Sequence, residues 1–318
     1  MTDINESLFH SIVYYFGLIS FSLILFIIFI RVVVFLWVSY VKRSVQWCPN
    51  TWAVVTGSTD GIGLEYARQL AEKGYNLLLL SRNQQKLNKV RDELKGRHPD
   101  CEVRVLAVDF SRTDIYDKIE AEFKKLSEIH VLVNNVGILS PNESPEYFCR
   151  IPEEWVISIL NVNIIAGTRL TRMVLPGMEA RGRGVVINLS SVTSLNPMPF
   201  FSLYTSTKKY IDFMSRALNE EYKGKGITIQ SVLPAIVKTN MTHVVGKSEP
   251  YVPEARDVVR RALDSVGKLD STPGVPYHRL IYFMLSSLDV VSNVLGIDLG
   301  VKLMYIAAKK LYNKIKVD

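Results

Sequence analysis

The stretch WAVVTGSTDGIGLEYARQLAEKG, residues 52–74, contains a strand, a glycine-rich turn and a helix, one after another. Trp52 to Val55 has the pattern of a short buried strand, and Gly74 is a residue type that commonly ends a helix. Between them, glycines at positions 57, 61 and 63 leave room for backbone N–H groups to approach a pyrophosphate at the positive end of the helix. The segment predicts the first unit of an α/β dinucleotide-binding fold.

The rest of the chain continues this alternation. Up to about residue 275, short apolar runs alternate with amphipathic helical stretches, as in βαβ units around a parallel sheet. We therefore expect a Rossmann-type, doubly wound parallel sheet in one domain over residues 46–275. Residues 276–318 form an apolar helical extension, interrupted by Asp289 and Asp298. This extension is predicted to lie on a membrane surface or cover the substrate; a helix packed on the sheet is the alternative.

Residues 1–45 are predicted to form a membrane anchor. Residues 11–30 contain no charged side chain, and about twenty apolar residues suffice to span the hydrocarbon core as a helix. The acidic start, MTDINESLFH, and the length of the apolar run differ from a cleaved signal peptide. Arg31, Lys42 and Arg43 follow the run, so the positive-inside rule places the main domain in the cytosol.

The C-terminal residues KIKVD suggest a location. Their lysines stand third and fifth from the end, which resembles the dilysine retrieval signal of endoplasmic-reticulum membrane proteins. A basic helix end produces the same pattern. We expect a protein of the endoplasmic-reticulum membrane with its main domain facing the cytosol.

Charge and cysteine content argue against several other classes. The net charge is +7, but the basic residues are spread along the chain without long runs, so nucleic acid is not expected as a partner. An anionic membrane surface or an anionic cofactor explains the charge as well. Cys48, Cys101 and Cys149 have no paired or metal-type spacing and the five histidines are scattered, so no metal site is expected.

The glycine spacing TGxxxGxG resembles the short-chain dehydrogenase/reductase family rather than the GxGxxG of ordinary dinucleotide folds. An acidic residue at the end of the second strand would hold the ribose of NAD, but this chain has Ser81 there, followed by Arg82. Arginine is a good partner for a 2′-phosphate, so we predict NADP(H); an arginine that merely ends a strand is the alternative. The resemblance implies cofactor contacts at Gly57, Ser58, Thr59, Gly61, Ile62, Gly63, Ser81 and Arg82.

The resemblance assigns further cofactor contacts downstream. Asp109 follows the third predicted strand, where family members contact the adenine, and Asn135 lies where the family has its NAG turn. The family usually has Pro-Gly in the loop after the sixth strand, whereas this chain has proline followed by Ala235. The residues implied at these places are Asp109, Asn135, Val237 and Thr239, the last two facing the nicotinamide.

Tyr204 and Lys208, in SLYTSTKKYIDF, are four residues apart and meet on one helix face, whereas Lys209 and Tyr210 point elsewhere. A phenol beside a fixed ammonium ion has a lowered pKa and can act as a general acid or base. The pair alone fits a solvated helix face as well. Ser191 precedes Tyr204 by thirteen positions, as in the family, and this match favours chemistry. The resemblance implies that Ser191 and Tyr204 bind the substrate and that Tyr204 and Lys208 also contact the cofactor.

Asn163 completes the catalytic set that the resemblance implies, namely Asn163, Ser191, Tyr204 and Lys208. Asn163 precedes Pro176 by thirteen residues, as is usual in the family, although Asn161 is a rival. In the implied mechanism, NADPH delivers a hydride to a carbonyl carbon and Tyr204 protonates the oxygen, which Ser191 steadies. Asn163 holds a water that links Lys208 to solvent. Ser190 is expected to face away from its neighbour.

The wording WAVVTGSTDGIG, the SVLP loop and the anchor are most similar to one branch of the family. That branch contains the 17-beta-hydroxysteroid dehydrogenases of types three and twelve and the very-long-chain 3-oxoacyl-CoA reductases. The similarity implies NADPH-dependent reduction of a lipid ketone, either a steroid 17-keto group or a 3-oxoacyl-CoA. A retinoid or general lipid carbonyl reductase, and a scaffold that binds cofactor without turnover, are the alternatives. The expected partners are a hydrophobic small molecule and membrane lipid, and a homodimer is compatible with the resemblance.

Overall fold

The structure, a computed structural model, describes residues 2–40, 45–141, 144–239 and 252–317. Thr2–Tyr40 forms one helix, α1. Within it, Phe9–Ile30 is long and apolar enough to cross a membrane, and none of this segment is buried inside the protein. The chain thus has one apolar N-terminal helix suited by length and composition to a membrane anchor.

Seven parallel strands form a single sheet in the order β3-β2-β1-β4-β5-β6-β7. The sheet confirms the predicted doubly wound fold. Strand order reverses between β1 and β4, and such a switch point leaves a crevice at the carboxyl ends of the strands. The strands are β1 (Trp52–Thr56), β2 (Asn76–Ser81), β3 (Val103–Ala107), β4 (Ile129–Asn134), β5 (Gly184–Leu189), β6 (Ile227–Val232) and β7 (Ser271–Thr272).

Helices cover both faces of the sheet, which explains why its strands are continuous apolar runs. Successive strand residues alternate between two cores: Val55 packs in the core beneath α2, α3 and α8, and Val54 in the core beneath α4, α6 and α7. These helices are α2 (Gly61–Glu72), α3 (Gln84–Arg97), α4 (Tyr116–Phe123), α5 (Glu153–Leu160), α6 (Ala166–Arg181), α7 (Ser202–Tyr222) and α8 (Ala255–Ser265).

The C-terminal extension forms two helices, α9 (Pro276–Leu295) and α10 (Leu299–Val317), which pack against each other. They also pack on the loop that follows β5. Asn196 of that loop donates a hydrogen bond from Nδ2 to the carbonyl of Leu285 at 3.0 Å. The ring of Phe200, in the same loop, stacks on Tyr305 and Tyr312 with centroid distances of 5.8 and 5.3 Å. The extension is therefore attached to the loop that connects β5 with α7.

Candidate functional site

A cleft of about 560 Å³ lies at the carboxyl ends of the strands. It is the crevice that the strand order predicts. Twelve of the predicted site residues line it: Gly57, Gly61, Ile62, Ser81, Arg82, Asp109, Asn135, Ser191, Tyr204, Lys208, Val237 and Thr239. The other four predicted residues, Ser58, Thr59, Gly63 and Asn163, lie close behind this lining and make the contacts described below.

The glycine turn is held in place by hydrogen bonds from its neighbours. Asp60 caps α2, its Oδ1 accepting the N–H of Gly61 at 2.8 Å. Asn135 Nδ2 donates to the carbonyls of Thr56 at 3.0 Å and Gly57 at 3.2 Å. A Cβ added to Gly63 would overlap both Gly57 O and Asn135 Nδ2. The close approach of β1, the turn and α2 therefore requires glycine at position 63.

The end of β2 carries hydroxyl and guanidinium groups. Ser81 Oγ lies 2.9 Å from Thr59 Oγ1, which ties the strand end to the glycine turn. Ser58 is buried and its hydroxyl donates to the carbonyl of Leu80 at 3.4 Å. Arg82 is exposed at the edge of the cleft. This end of the cleft therefore suits an anionic group better than a ribose diol that needs a carboxylate.

Asp109 and Ser111 form the cleft wall beyond β3. Asp109 Oδ1 accepts hydrogen bonds from the N–H of Ser111 at 3.0 Å and from its hydroxyl at 2.9 Å. These two bonds orient the carboxylate in the loop after the strand. Asp109 thus lies at the cleft edge, as the motif indicated, with a structural contact of its own.

Ser191 and Tyr204 meet across the cleft wall. Ser191 follows β5 and caps the short 3₁₀ turn Val192–Ser194, and Tyr204 lies in the first turn of α7. Both side chains line the cleft, and an interaction with the Ser191 hydroxyl acts to lower the pKa of Tyr204. Ser191 Oγ also accepts from the Thr193 N–H at 3.2 Å and its hydroxyl at 3.0 Å. Two hydroxyl groups therefore converge at one point on the cleft.

Burial is the main cause of the pKa shifts of Tyr204 and Lys208 on α7. Desolvation raises the pKa of Tyr204 to about 12, although its interaction with Ser191 opposes the rise. Burial lowers the pKa of Lys208 to about 8. Lys208 Nζ lies 5.7 Å from the Tyr204 ring centroid and donates to the carbonyl of Leu189 at 2.8 Å. The prediction that Tyr204 has a lowered pKa is therefore wrong, because desolvation by burial outweighs the interaction with Ser191 that lowers it.

Asn163 occupies a π-helical turn, Asn161–Ile165, between α5 and α6. Its Oδ1 accepts the N–H of Ile138 at 2.8 Å, and its Nδ2 donates to the Ile138 carbonyl at 2.9 Å and to Thr207 Oγ1 at 3.0 Å. A Cβ added to Gly137 would lie 3.3 Å from Lys208 Nζ and 3.5 Å from Asn163 Oδ1. Lys208 Nζ and Asn163 Oδ1 therefore both border the small space beside the Cα of Gly137.

The neighbouring residues separate only in part as expected. Asn161 points away and donates from Nδ2 to the carbonyl of Ser111 at 2.8 Å. Ser190 also lines the cleft, but its Oγ donates to the Lys208 carbonyl at 2.7 Å and so is tied to the backbone of α7. Lys209 and Tyr210 are exposed. The expected separation on α7 is confirmed, whereas Ser190 and Ser191 both border the cleft and differ in their hydrogen-bond partners.

Some cleft residues carried no recognisable motif. Trp155, on α5, lines the cleft and donates from Nε1 to the carbonyl of Leu139 at 3.3 Å. Thr207 accepts a hydrogen bond from Asn163 Nδ2. In the sequence, only its position one residue before Lys208 could have indicated that it lies near the site. Trp155 and Leu139 could not be found from spacing, because a wall of this kind is built from apolar types that occur throughout the chain.

The family model described as short chain dehydrogenase matches residues 51–250. A very-long-chain 3-oxoacyl-CoA reductase-A of Danio rerio is 44% identical over 250 residues, which are 78% of this chain and 77% of the relative. The very-long-chain 3-oxoacyl-CoA reductase of Homo sapiens is 41% identical, over 74% of this chain and 75% of the relative.

A solved short-chain dehydrogenase from Sphingobium yanoikuyae in complex with NADPH has a TM-score of 0.62 and 29% identity. The match covers 68% of this chain and 84% of that protein. A solved 7beta-hydroxysteroid dehydrogenase has a TM-score of 0.67 over 73% of this chain and 90% of its own, and its 22% identity supports the fold alone. The chain belongs to the short-chain dehydrogenase family and is an oxidoreductase.

Proposed function

We propose that this protein uses NADPH to reduce the 3-oxo group of a long-chain acyl-CoA to a hydroxyl group. The observation that carries the proposal is the pair of hydroxyls, Tyr204 and Ser191, that meet on the cleft wall with Lys208 buried beside them. The substrate class follows from relatives at 41–44% identity that are named very-long-chain 3-oxoacyl-CoA reductases.

The residues at the other end of the cleft fit NADP(H). The glycine turn presents backbone without side chains at the start of α2, where an anionic pyrophosphate is stabilised by the helix N-terminus. Ser81 leaves the end of β2 without a carboxylate that would repel a 2′-phosphate, and Arg82 supplies a guanidinium group beside it. The bound cofactor would supply the hydride that reaches the carbonyl carbon. Asp109, Asn135, Val237 and Thr239 complete the proposed cofactor site.

Tyr204 is the proposed general acid. With a pKa of about 12 it carries its proton at neutral pH, the form required to protonate a developing alkoxide. The Ser191 hydroxyl has one proton, which it can donate to the same oxygen as a second donor once a carbonyl is bound. The charge that develops on the substrate oxygen is thus met by two hydroxyls fixed by β5 and α7.

Lys208 and Asn163 are proposed to restore the proton. Lys208 has a pKa near 8, so its ammonium group can give up and regain a proton around neutral pH. Asn163 is held by Ile138 and Thr207, and its Oδ1 borders the same space beside Gly137 as Lys208 Nζ. Because Gly137 has no side chain, the space between Lys208 and Asn163 can admit the water that reprotonation needs.

The C-terminal helices are proposed to cover the substrate and touch the membrane. They pack on the loop that follows Ser191, and their outer faces expose Leu280, Met284 and Ile306, the last two at 62% each. Exposed apolar side chains beside lysines suit a lipid surface. With the apolar helix α1, they support a three-part organisation of anchor (1–45), cofactor domain (46–275) and covering segment (276–318).

Location and assembly remain part of the proposal. Basic residues after the apolar run and the C-terminal lysine pair support an endoplasmic-reticulum membrane protein with a cytosolic active site. A homodimer through α5 and α7 is supported by the exposed apolar side chains of Ile157 and Phe213. A steroid 17-ketone as substrate stays a prediction.

The test is NADPH oxidation by the purified full chain in detergent, with 3-oxoacyl-CoA thioesters of increasing length and a 17-ketosteroid as competing candidates. The expected result is turnover of the acyl-CoA thioesters. In Tyr204→Phe, which keeps the ring but loses the proton, the rate should fall by about 10²–10⁴-fold while NADPH affinity stays close to wild type. Retained turnover in this variant would contradict the assigned acid, and no turnover of any thioester by wild type would contradict the substrate class.

A further inference from the structure

His278, on the first turn of α9, is fully buried, with 0% of its surface exposed. It belongs to the C-terminal extension, outside every motif that the sequence offered. Its position follows from the sheet, because β7 pairs in parallel with β6 through Ser231↔Ser271 and Val232↔Thr272. The chain leaving β7 for α9 therefore emerges beside the loop that leaves β6.

Both ring nitrogens of His278 bind the backbone of that loop. The N–H of Ala235 lies 3.3 Å from Nδ1, and the carbonyl oxygen of Ile236 lies 3.1 Å from Nε2. A backbone N–H can only donate and a carbonyl can only accept. The geometry is therefore satisfied by one neutral tautomer, with the proton on Nε2 and the lone pair on Nδ1. Burial lowers the pKa of His278 and favours the same neutral form, although interactions with the carbonyls of Ile236 and Pro273 oppose this shift.

The loop held by His278 is a wall of the cleft. Pro234, Ala235, Val237 and Thr239 line it. On the opposite side, the carbonyl of Pro234 accepts the N–H of Val192 at 3.1 Å, next to Ser191. The loop is thus bonded to the catalytic strand end through Pro234 and to α9 through the two residues that follow.

We propose that His278 is a positioning residue that sets the backbone of Ala235–Val237 against the nicotinamide end of the cofactor, so that the C-terminal extension helps to align hydride transfer. This inference rests on the proposed function, because it needs a dinucleotide in the cleft. Ala235 replaces the glycine that the family pattern has here, and the imidazole provides an external clamp for its peptide group.

Three substitutions separate positioning from space filling. His278→Leu keeps an apolar volume and loses both hydrogen bonds. His278→Asn can retain an acceptor near the Nδ1 position, and His278→Gln a donor near the Nε2 position. The matched control is His130→Leu. His130 is also buried, at 1% exposed, but it lies near the amino end of β4, away from the cleft at the carboxyl ends of the strands.

The test compares two ligands of the full-length protein in detergent: NADPH, which spans the cleft, and adenosine 2′,5′-bisphosphate, which corresponds to its adenine half. In His278→Leu, we expect NADPH affinity and kcat/KM each to fall by about tenfold, since two hydrogen bonds to the loop are lost. Affinity for the bisphosphate should stay within about twofold of wild type. The Asn and Gln variants should lie between Leu and wild type, and His130→Leu should bind both ligands normally.

Equal losses for both ligands would overturn the proposal, because they would indicate general destabilisation. Wild-type NADPH binding in His278→Leu would overturn it as well. If His278→Leu does not fold, the Asn and Gln variants are used instead. Weaker binding of NADPH with unchanged binding of the bisphosphate supports the positioning role of His278, and wild-type affinity for both ligands refutes it. Because binding is measured without substrate, the result can be interpreted even if the proposed substrate class is wrong.

Discussion

Replacing Gly63 with alanine should weaken the glycine turn by steric overlap alone. The backbone of Gly63 is not in the left-handed region, so alanine meets no conformational barrier there. An added Cβ would overlap Gly57 O and Asn135 Nδ2 and would lie 2.9 Å from the carbonyl carbon of Gly57. Two of these atoms belong to backbone that is packed between β1 and α2, so no flexible side chain can simply move aside.

The cost can be worked from those contacts. Overpacking of a tight site costs roughly 1–3 kcal/mol, and loss of the Asn135–Gly57 hydrogen bond about 1 kcal/mol more. The higher helix propensity of alanine offsets roughly 0.5–1 kcal/mol of this destabilisation. The free energy of unfolding should therefore fall by roughly 2 kcal/mol, equivalent to about 4–8 °C in Tm for a domain of this size. Because the turn also faces the cofactor cleft, NADPH affinity should fall at least about tenfold.

Gly96→Ala is the matched control. Gly96 lies in α3, where an added Cβ meets nothing within 4 Å, so alanine should leave Tm unchanged or raise it slightly. Thermal unfolding by circular dichroism and NADPH binding by fluorescence would be measured on both variants in detergent. If Gly63→Ala matches Gly96→Ala in both quantities, the reasoning about close approach at the turn is refuted.

Two further predictions concern Arg82 and Lys208, the first on cofactor preference and the second on activity and stability. Arg82→Asp should shift the ratio of kcat/KM for NADPH over NADH toward NADH by roughly 10–100-fold, because a charge-assisted contact is replaced by repulsion; an unchanged ratio would refute the cofactor assignment. Lys208→Met should abolish turnover yet raise the free energy of unfolding at pH 7 by roughly 1–3 kcal/mol, because it removes a desolvated ammonium group. Burial lowers the pKa of Lys208 from 10.5 to about 8, so the folded wild type binds fewer protons than the unfolded chain between these values. Wild-type stability therefore rises with pH in that window, and the advantage of the variant should shrink there; an equal advantage at pH 7 and pH 10 would contradict this cause.

The parts of the fold that could be predicted are those governed by local rules. The strands are buried on both faces, so they appear as unbroken apolar runs, and β1 and β2 lie where those runs stand. The glycine turn was recognisable because close backbone approach allows only one residue type. Tyr204 and Lys208 were paired by helical spacing, and the structure places both on the cleft wall.

Other features depend on contacts that no local pattern encodes. Asn163 lies in a π turn, and its side chain bonds Ile138 and Thr207, residues 25 and 44 positions away. The raised pKa of Tyr204 results from the protein atoms packed around its hydroxyl, whereas spacing suggested only the nearby ammonium group. Charge neighbours can be guessed from a sequence, but the degree of desolvation requires the packed structure.

The two ends of the cleft differ in how strictly they constrain residue type. At the proposed cofactor end, backbone groups would bind the pyrophosphate, so a Cβ at the wrong glycine would block the site, and the motif is recognisable in the sequence. At the substrate end, the wall combines Trp155 of α5 and Leu139 with the loop after β5, on which α9 and α10 pack. An apolar chain can be enclosed by many combinations of such side chains, since burial depends on area rather than on residue identity. His278 connects the C-terminal extension to the cleft, because its buried ring is hydrogen-bonded to the loop after β6 that lines the proposed cofactor site. Alignment of the proposed cofactor would then depend on a segment of α9 that does not itself line the cleft.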